Sequence, residues 1–478
     1  MVYSLGQRYL AFVVGLATSI VLARLLTPEE TGIFSLAMAA VAIGAILREF
    51  GTSDYIISQR DVSPQKLRAA YTVTLLISWS AALLLLAAAQ PLATLYKEPG
   101  VATVMYVLCL NFMLVPLGST AMAMLSKELR FDLLFWIQSA SMLVGAVTTL
   151  LCALNGASYQ SAAWGSVASI STVVLVLSLR RPSSVFMLPT LRGLRQIFRF
   201  GGVLTLARVV EGVATRVGDF VISGMLGFHS SGVLSKANSL NGGFHEFFAS
   251  AVLRVATPVL AQARQGGRSV ADDYRHATVL MASAQWLFFG VMIVVAPELV
   301  HVLFGPSWID AVPLLQIGAV AGFIYAPFML CTPLLTAFGA ARPQLTAFTA
   351  YCGALIACLT VGALHSVEAA LGLALVAHAL RLHLLGAAVE RVAGISTRSV
   401  VSKLGPTAAL AFVACGAALG VRLALVHLQT HSAWVLIAAG STAALVYLTL
   451  LIWTKHPVEA ELRRAFKSIR SYRHRTPV

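Results

Sequence analysis

Charged residues are scarce in this chain of 478 residues: Asp, Glu, Lys and Arg make up 11% of it, whereas 58% is hydrophobic. The mean hydropathy is +0.83, which excludes a soluble globular protein on composition alone. Acidic residues are the rarer charge, with 19 Asp and Glu against 34 Lys and Arg. The solvent for most of this chain is therefore lipid.

Catalytic and metal-binding motifs are also lacking. The six cysteines lie within or at the edge of apolar stretches and have neither metal-ligand nor redox spacing, so we interpret them as packing residues. No Walker lysine motif, zinc cluster or nucleophile elbow occurs. We therefore expect no catalytic residue, no metal and no cofactor.

Fourteen long apolar stretches predict an all-α polytopic membrane protein with about 14 transmembrane helices. The seventh and eighth predicted spans cover 200–224 and 237–260. The connections are alternately basic and nearly uncharged, and the basic ones carry 24 of the 34 Lys and Arg residues. Both termini are therefore predicted to be cytoplasmic. The net charge of +15 is mostly this orientation signal and needs no nucleic-acid partner.

The two halves of the chain resemble each other at an offset near 200 residues. The matches keep their order: Leu26–Ala37 with Leu226–Ala237, Arg8 with Arg208, Arg68 with Arg268, Pro91 with Pro297, and Phe112 and Pro116 with Phe323 and Pro327. Because six spans separate the copies, both enter the membrane in the same direction. The repeat predicts two parallel six-helix lobes in a pseudo-twofold arrangement, followed by two C-terminal helices.

This organisation divides the chain into five parts. They are an N-terminal lobe at 1–179, a basic cytoplasmic linker at 180–199, a C-terminal lobe at 200–389, spans 13 and 14 at 390–453, and a basic amphipathic tail at 454–478. The linker carries five arginines and two prolines and is the expected hinge between the lobes. The tail is expected to lie on the anionic cytoplasmic leaflet.

Two short motifs carry a family resemblance. The segment Ala23–Phe34 resembles the opening of Wzx-type polysaccharide flippases, and Gly232–Leu240 is similar to their eighth-helix signature. These flippases are the polysaccharide transporter branch of the multidrug, oligosaccharidyl-lipid and polysaccharide exporter superfamily. One departure is the missing basic amphipathic lead before the first span: either the chain starts late or the lead is dispensable.

The resemblance implies movement of a polyprenyl-pyrophosphate-linked oligosaccharide from the inner to the outer leaflet of the bacterial cytoplasmic membrane. This step would precede assembly of exopolysaccharide, capsule or O-antigen, with a polysaccharide polymerase and export machinery as expected partners. Pyrophosphate needs cations within the bilayer, where each costs roughly 2.5 to 3.5 kcal/mol. The candidates in spans one, two, seven and eight, which line the cleft in this superfamily, are Arg24, Arg48, Arg208, Arg216, Lys236 and Arg254. Similarity to lipid II flippases of the related branch assigns phosphate binding to Arg24, Arg48 and Arg254.

A structural role is the alternative for each candidate. Arg24 and Lys236 are close enough to span ends to snorkel. On the seventh span, the i,i+3 pairs with Glu211 and Asp219 would neutralise Arg208 and Arg216. The nearby carboxylates serve either as counter-ions of the empty cleft or as proton or sodium sites: Glu49, Asp54, Glu211, Asp219 and Glu246. In span twelve, His378, Arg381 and His383 form a basic cluster that we interpret as packing or snorkelling.

Two other functions fit the same hydrophobic pattern. A cation-coupled multidrug antiporter shares the superfamily fold, but it would be expected to carry a carboxylate in its first helix, and residues 5–26 contain no Asp or Glu. A membrane enzyme, such as a polysaccharide polymerase or ligase, would need catalytic groups on a sizeable outward loop. The outward connections are short and their acidic residues are scattered. A transporter is therefore the predicted function.

Overall fold

A computed structural model describes residues 2–49, 51–58, 63–191, 193–244, 249–265, 270–459 and 463. These residues form helices and short connections, with no strand in any described range, so the predicted all-α fold is confirmed. The helices are α1 Val2–Leu25, α2 Pro28–Glu49, α3 Thr52–Ser58, α4 Pro64–Leu95, α5 Pro99–Lys127, α6 Phe131–Leu154, α7 Ser161–Arg180, α8 Pro182–Val185, α9 Leu194–Phe244, α10 Ser250–Gln265, α11 Val270–Leu303, α12 Ala311–Tyr325, α13 Cys331–Ala337, α14 Ala341–Ala363, α15 Val367–Ala393, α16 Thr397–His427 and α17 Ser432–Trp453.

Twelve helices within the described ranges are long and apolar enough to cross a membrane. The predicted count of 14 is not confirmed, because neither α9 nor α10 is among the twelve. Helix α9 carries four charged residues within positions 208–219, which lowers its hydropathy. The described part of α10 has 16 residues, fewer than the roughly 20 that a span needs. Helix α9 is also two helical segments rather than one, since Gly227 between them has φ 84° and ψ 175°.

The chain forms two compact units. One comprises Met1–Ser235 with Leu359–Val367, and the other comprises Lys236–Cys358 with Glu368–Val478. The five-part division and its boundaries predicted from the sequence stay a prediction.

Helix α5 forms the centre of the first unit. Its residues Val101, Val104, Met105, Leu108 and Phe112 are almost completely buried. Their spacing of three or four residues places them on one face of the helix. This stripe packs against α2 and α4, which explains why α5 is among the most deeply buried of the candidate spans.

Proline 116 interrupts the hydrogen bonding of α5 and is compensated by a neighbouring helix. Proline has no N–H, so the carbonyl of Phe112, four residues earlier, loses its helical donor. The Ser78 hydroxyl of α4 donates to this carbonyl at 2.8 Å. In hydrocarbon an unsatisfied carbonyl costs several kcal/mol, so this contact joins α4 to α5 at the bend.

The second repeat copy uses the same device with a different donor. Pro327 follows α12, and the carbonyl four residues earlier belongs to Phe323. The Trp286 indole Nε1 of α11 donates to this carbonyl at 2.8 Å, and its ring stacks on the Phe323 ring with centroids 5.2 Å apart. The correspondence between Phe112 and Pro116 and this second pair is therefore structural as well as sequential.

Within the second unit, α11, α16 and α17 pack through small residues. Ala418, Ala439 and Ala443 are fully buried against Val295. Small side chains allow the close helix approach that drives packing in lipid. The Tyr447 and Ser283 hydroxyls hydrogen-bond at 2.7 Å and join α17 to α11.

Helix α2 and the later part of α9 meet at two glycines that are 200 residues apart. A Cβ added at Gly32 would lie 1.9 Å from the carbonyl oxygen of Phe228, and one added at Gly232 would lie 1.7 Å from that of Pro28. The contact is reciprocal, because Phe228 and Gly232 are the repeat equivalents of Pro28 and Gly32. A reciprocal contact of this kind, here within the first unit, is what a twofold repeat of the two segments would produce.

Candidate functional site

The predicted site consists of cations in or near the membrane, and the structure places them in different surroundings. Arg24 lies in the last turn of α1 and is exposed. Arg48 lies in the last turn of α2 and is half-buried. Arg216 lies in α9 and is also half-buried, whereas Lys236 is only 8% exposed. The last two thus differ sharply in their access to solvent.

An aromatic face holds Arg48 in the first unit. Its guanidinium carbon lies 5.2 Å from the centroid of the Phe112 ring, which is 1% exposed. The ring attracts the cation through its quadrupole and brings no opposite charge. Because the carbonyl of the same phenylalanine is held by Ser78, the ring under Arg48 is fixed from the backbone side.

Asp219 connects α9 to α2. Its Oδ1 accepts a hydrogen bond from the Ser35 hydroxyl of α2 at 3.0 Å, and the carboxylate is buried. Its Oδ2 lies 3.9 Å from Arg216 Nη1, so the predicted i,i+3 pair is a long one. The shorter contact is the one between helices. Asp219 therefore serves as a bridge between α2 and α9 as well as a neighbour of Arg216.

Further contacts extend this junction in both directions. Ile46 near the end of α2 lies so close to Gly212 that a Cβ there would be 1.9 Å from its Cδ1. Tyr96, which follows α4, donates its hydroxyl proton to the Phe220 carbonyl at 3.1 Å. Burial raises the pKa of the Tyr96 hydroxyl, so it remains a donor at physiological pH. Within the first unit, α9 is thus held against α2 and against Tyr96 along several turns.

Two aromatic rings surround Lys236 in the second unit. Its Nζ lies 5.4 Å from the Phe304 centroid and 5.5 Å from the Trp308 centroid. Both rings are almost fully buried, and they contact each other with centroids 6.2 Å apart. Burial of the amino group is inconsistent with simple snorkelling, which would place it in water.

The remaining predicted residues can be placed only in part. The helices carry the backbone of five of them, whose side chains lie outside the described part of the structure: Glu49, Asp54, Arg208, Glu211 and Arg254. Glu246 lies wholly outside the described residues. The role of every predicted site residue stays a prediction.

Arg381 has surroundings that sequence reasoning did not anticipate. Its guanidinium carbon lies over three rings, at 4.7 Å from Phe348, 5.0 Å from Tyr351 and 5.3 Å from Tyr325. Its Nε is buried and has no hydrogen-bond partner among the residues that the structure describes. The neighbouring His378 contacts the Tyr351 hydroxyl at 3.3 Å. The basic cluster of α15 therefore includes a cation that is enclosed by three aromatic rings. The sequence indicated this residue only through its position in an apolar span.

A second cation was missed because its partner is distant in sequence. Arg422 of α16 donates from Nε to both carboxylate oxygens of Glu298 on α11, at 2.9 and 3.0 Å. Glu298 is buried, and the arginine side chain is 23% exposed. This pair neutralises itself inside the second unit. No group of three His, Cys, Asp or Glu that could hold a metal ion occurs among the described residues.

A family model described as a polysaccharide biosynthesis protein matches residues 21–313 of this chain, which is more than half of it. The matched region contains both motifs, Ala23–Phe34 and Gly232–Leu240. The resemblance inferred from those motifs is therefore confirmed.

Two curated relatives are named for transport or biosynthesis of polysaccharides. The chain is 28% identical over 338 residues to the succinoglycan biosynthesis transport protein ExoT of Rhizobium meliloti (strain 1021), covering 67% of this chain and 65% of the relative. It is 21% identical over 315 residues to the lipopolysaccharide biosynthesis protein WzxC of Escherichia coli (strain K12), covering 65% and 63%. The chain thus spans slightly less than two thirds of each relative's length.

The fold is similar to a solved structure described as the lipid II flippase MurJ in an inward closed conformation. The TM-score is 0.75, and the alignment covers 95% of this chain and 99% of the other at 12% sequence identity. At this identity the likeness concerns the fold, and it confirms a multi-pass membrane architecture.

Proposed function

We propose that this chain, which belongs to the polysaccharide biosynthesis protein family, is a flippase for polyprenyl-pyrophosphate-linked oligosaccharide repeat units. It moves them from the inner to the outer leaflet of the bacterial cytoplasmic membrane for synthesis of exopolysaccharide, capsule or O-antigen. The single observation that carries this proposal is a set of membrane-embedded cations held against aromatic rings. Arg48 and Lys236 are the two members on which the proposal relies.

The chemistry of the proposed substrate explains why such cations are useful. A pyrophosphate concentrates negative charge that hydrocarbon cannot solvate. A guanidinium or ammonium group forms charge-assisted hydrogen bonds to phosphate oxygens, each worth about 1.5 to 3 kcal/mol. A ring face stabilises the cation in the absence of substrate and leaves its N–H groups able to bind phosphate oxygens. We therefore propose that Arg48 and Lys236, together with Arg24 and Arg254, bind the pyrophosphate.

The proposed mechanism is alternating access of the two predicted lobes. The predicted orientation places the N-terminus of α2 and the Phe228–Gly232 segment at the outward side. Their close backbone contact at Gly32 and Gly232 would then close the outward end. Opening this contact and closing the cytoplasmic end would release the sugar outside, while the prenyl chain stays in lipid.

The location and partners follow from the same proposal. Both termini are assigned to the cytoplasm by the distribution of Lys and Arg. A polysaccharide polymerase and the export machinery would receive the flipped repeat unit. The counter-ions Asp219, Glu49 and Asp54 would hold the empty site in position.

The test measures the leaflet location of lipid-linked oligosaccharide in cells that lack this protein. Wild-type protein should restore delivery to the outer leaflet, whereas Arg48→Ala and Lys236→Ala at equal abundance should lose it roughly ten-fold or more, as the loss of one charged hydrogen bond predicts. Arg48→Lys keeps the charge and should retain part of the activity. Arg254→Ala tests the remaining cation of the eighth predicted span.

The matched control is Arg398→Ala, since Arg398 is an exposed arginine of α16 outside the predicted site. It should transport like wild type. Equal loss of transport in the control and in Arg48→Ala would contradict a specific role of the site. An unchanged leaflet distribution together with altered drug tolerance would instead favour the antiporter.

A further inference from the structure

The second unit contains a cavity of about 480 Å³ where the beginnings of α11 and α16 meet the residues that follow α17. It shares no residue with the predicted pyrophosphate site. Its lining combines charged side chains with apolar ones.

The cavity carries an excess of positive charge. Among the described residues that line it, Arg275, Lys403 and Lys455 are the cations and Asp272 is the one carboxylate. Asp272 Oδ1 lies 3.0 Å from Arg275 Nη1, so this arginine is oriented and partly neutralised. The Nε of the same arginine also donates to the Ser399 hydroxyl at 3.4 Å. The two lysines are exposed and supply the remaining charge.

His456 holds the segment that carries Lys455 against α16. Its Nε2 lies 2.9 Å from the Thr407 hydroxyl of α16, and its Nδ1 accepts from the Val458 N–H at 3.4 Å. With Nδ1 as an acceptor, the ring donates through Nε2 to Thr407. Burial lowers the pKa of His456, so the ring is neutral at physiological pH and adds no charge to the cavity.

Apolar residues form another part of the lining. Val279 and Leu410 are buried, and Pro406 lies one turn before Leu410 on α16. Pro406 is exposed, so an acyl chain entering the cavity would cover this ring and meet the edges of the two buried side chains, which a soluble anion would not use. All three helices are candidate spans, so the cavity lies where a membrane headgroup meets hydrocarbon.

We propose that the cavity formed by α11, α16 and the segment after α17 binds the phosphate group of an anionic membrane lipid. Lys403, Lys455 and Arg275 contact the phosphate, and Val279, Pro406 and Leu410 contact the start of the acyl chains. The assignment uses the proposed function only for the side of the membrane. A failed binding measurement would therefore leave the flippase proposal intact.

The test is binding of phosphatidylglycerol to the purified full chain in detergent, followed by native mass spectrometry, with phosphatidylcholine and inorganic phosphate as separate arms. Wild-type protein should retain phosphatidylglycerol in preference to phosphatidylcholine. Lys403→Gln/Lys455→Gln should weaken it about thirty-fold, because a lysine near an anionic headgroup contributes about five-fold in affinity. Thermal unfolding of each variant verifies that it is folded.

The matched control is Arg391→Gln/Arg398→Gln, which removes two exposed charges from α15 and α16 outside the cavity lining. It should bind phosphatidylglycerol like wild type. The lipid proposal is overturned by equal weakening in the control, by equal retention of the two lipids, or by inorganic phosphate binding as tightly as phosphatidylglycerol. Preference for phosphatidylglycerol that depends on Lys403 and Lys455 supports it.

Discussion

The reciprocal glycine contact predicts that a single added methyl group will hold α2 and the later part of α9 apart. The added Cβ would lie 1.9 Å from the Phe228 oxygen in Gly32→Ala and 1.7 Å from the Pro28 oxygen in Gly232→Ala. Carbon and oxygen normally approach to about 3.3 Å, so the backbones must separate by about 1.4 to 1.6 Å. Each obstacle is a backbone carbonyl, and rotation of a side chain cannot relieve it.

Overpacking of this kind costs about 1 to 3 kcal/mol. The cost applies only to the state in which the two segments touch, so the ratio of that state to a separated state should fall about 5- to 150-fold. Because one separation relieves both clashes, Gly32→Ala/Gly232→Ala should shift the ratio by less than the sum of the single effects.

Distance measurement by double electron–electron resonance reports this ratio directly. Spin labels at Glu29→Cys and His229→Cys, two exposed repeat-related positions, should give a short distance in the wild-type background with the native cysteines replaced. Either alanine substitution should enlarge a population at longer distance and impair delivery of lipid-linked oligosaccharide to the outer leaflet.

Gly15→Ala is the matched control, because a Cβ at Gly15 of α1 has no atom within 4 Å. It should leave the distance distribution unchanged and raise stability by about 0.5 to 1 kcal/mol at most, as the helix propensity of alanine predicts. If both Gly32→Ala and Gly232→Ala keep the wild-type distance distribution in reconstituted protein, the close backbone contact is refuted.

Three further substitutions test packing within the second unit by thermal unfolding in detergent. Trp286→Phe should lower the free energy of unfolding by roughly 1 to 2 kcal/mol, because the Phe323 carbonyl loses its indole donor and is left with the Ala326 N–H, while ring stacking is kept. An unchanged melting temperature would contradict this. Glu298→Gln should lower the free energy of unfolding by roughly 2 to 3 kcal/mol, because Arg422 loses its carboxylate partner. Glu298→Gln/Arg422→Met should recover most of this loss. A double variant no more stable than Glu298→Gln would count against a stabilising role of the pair. Because the pKa of His456 is lowered in the folded state, wild-type protein should lose stability as pH falls below about 6.5. His456→Gln should lose less stability over the same pH range. If the melting temperatures of the two proteins fall equally with pH, this linkage is disproved.

The internal repeat was predictable because the features that mark it, prolines that interrupt helices, act on residues only four positions away. A proline frees the carbonyl four residues before it wherever it interrupts a helix, so Phe112 and Pro116 predict a bend that Phe323 and Pro327 repeat. What the sequence could not supply is the donor, since Ser78 fills this role in one copy and an indole fills it in the other. The glycine at position 232 likewise matched Gly32 in sequence, but the match did not predict that the two would touch.

The candidate site was less predictable than the fold, because its contacts join positions distant in sequence. The pairing of Asp219 with Arg216 follows from helical spacing, whereas its hydrogen bond to Ser35 spans 184 residues. Lys236 near a span end has the pattern of a snorkelling residue, and only packing with the end of α11 encloses it between rings. The charges that predict a site in α9 also lower its hydropathy, which is why the predicted seventh span was not recovered as a candidate span.

Two ways of holding a cation in this protein have different chemical consequences. Arg422 faces the carboxylate of Glu298 at hydrogen-bonding distance, and such a pair has little remaining field with which to attract an anion. The ring contacts of Arg48 and Lys236 contribute about 0.5 to 2 kcal/mol to holding the cation and add no negative charge. A ring contact leaves the donor groups of the cation able to hydrogen-bond to phosphate oxygens. The chemistry of these contacts therefore favours a stabilising role for the α11–α16 pair, and it is consistent with the proposal that Arg48 and Lys236 bind the pyrophosphate.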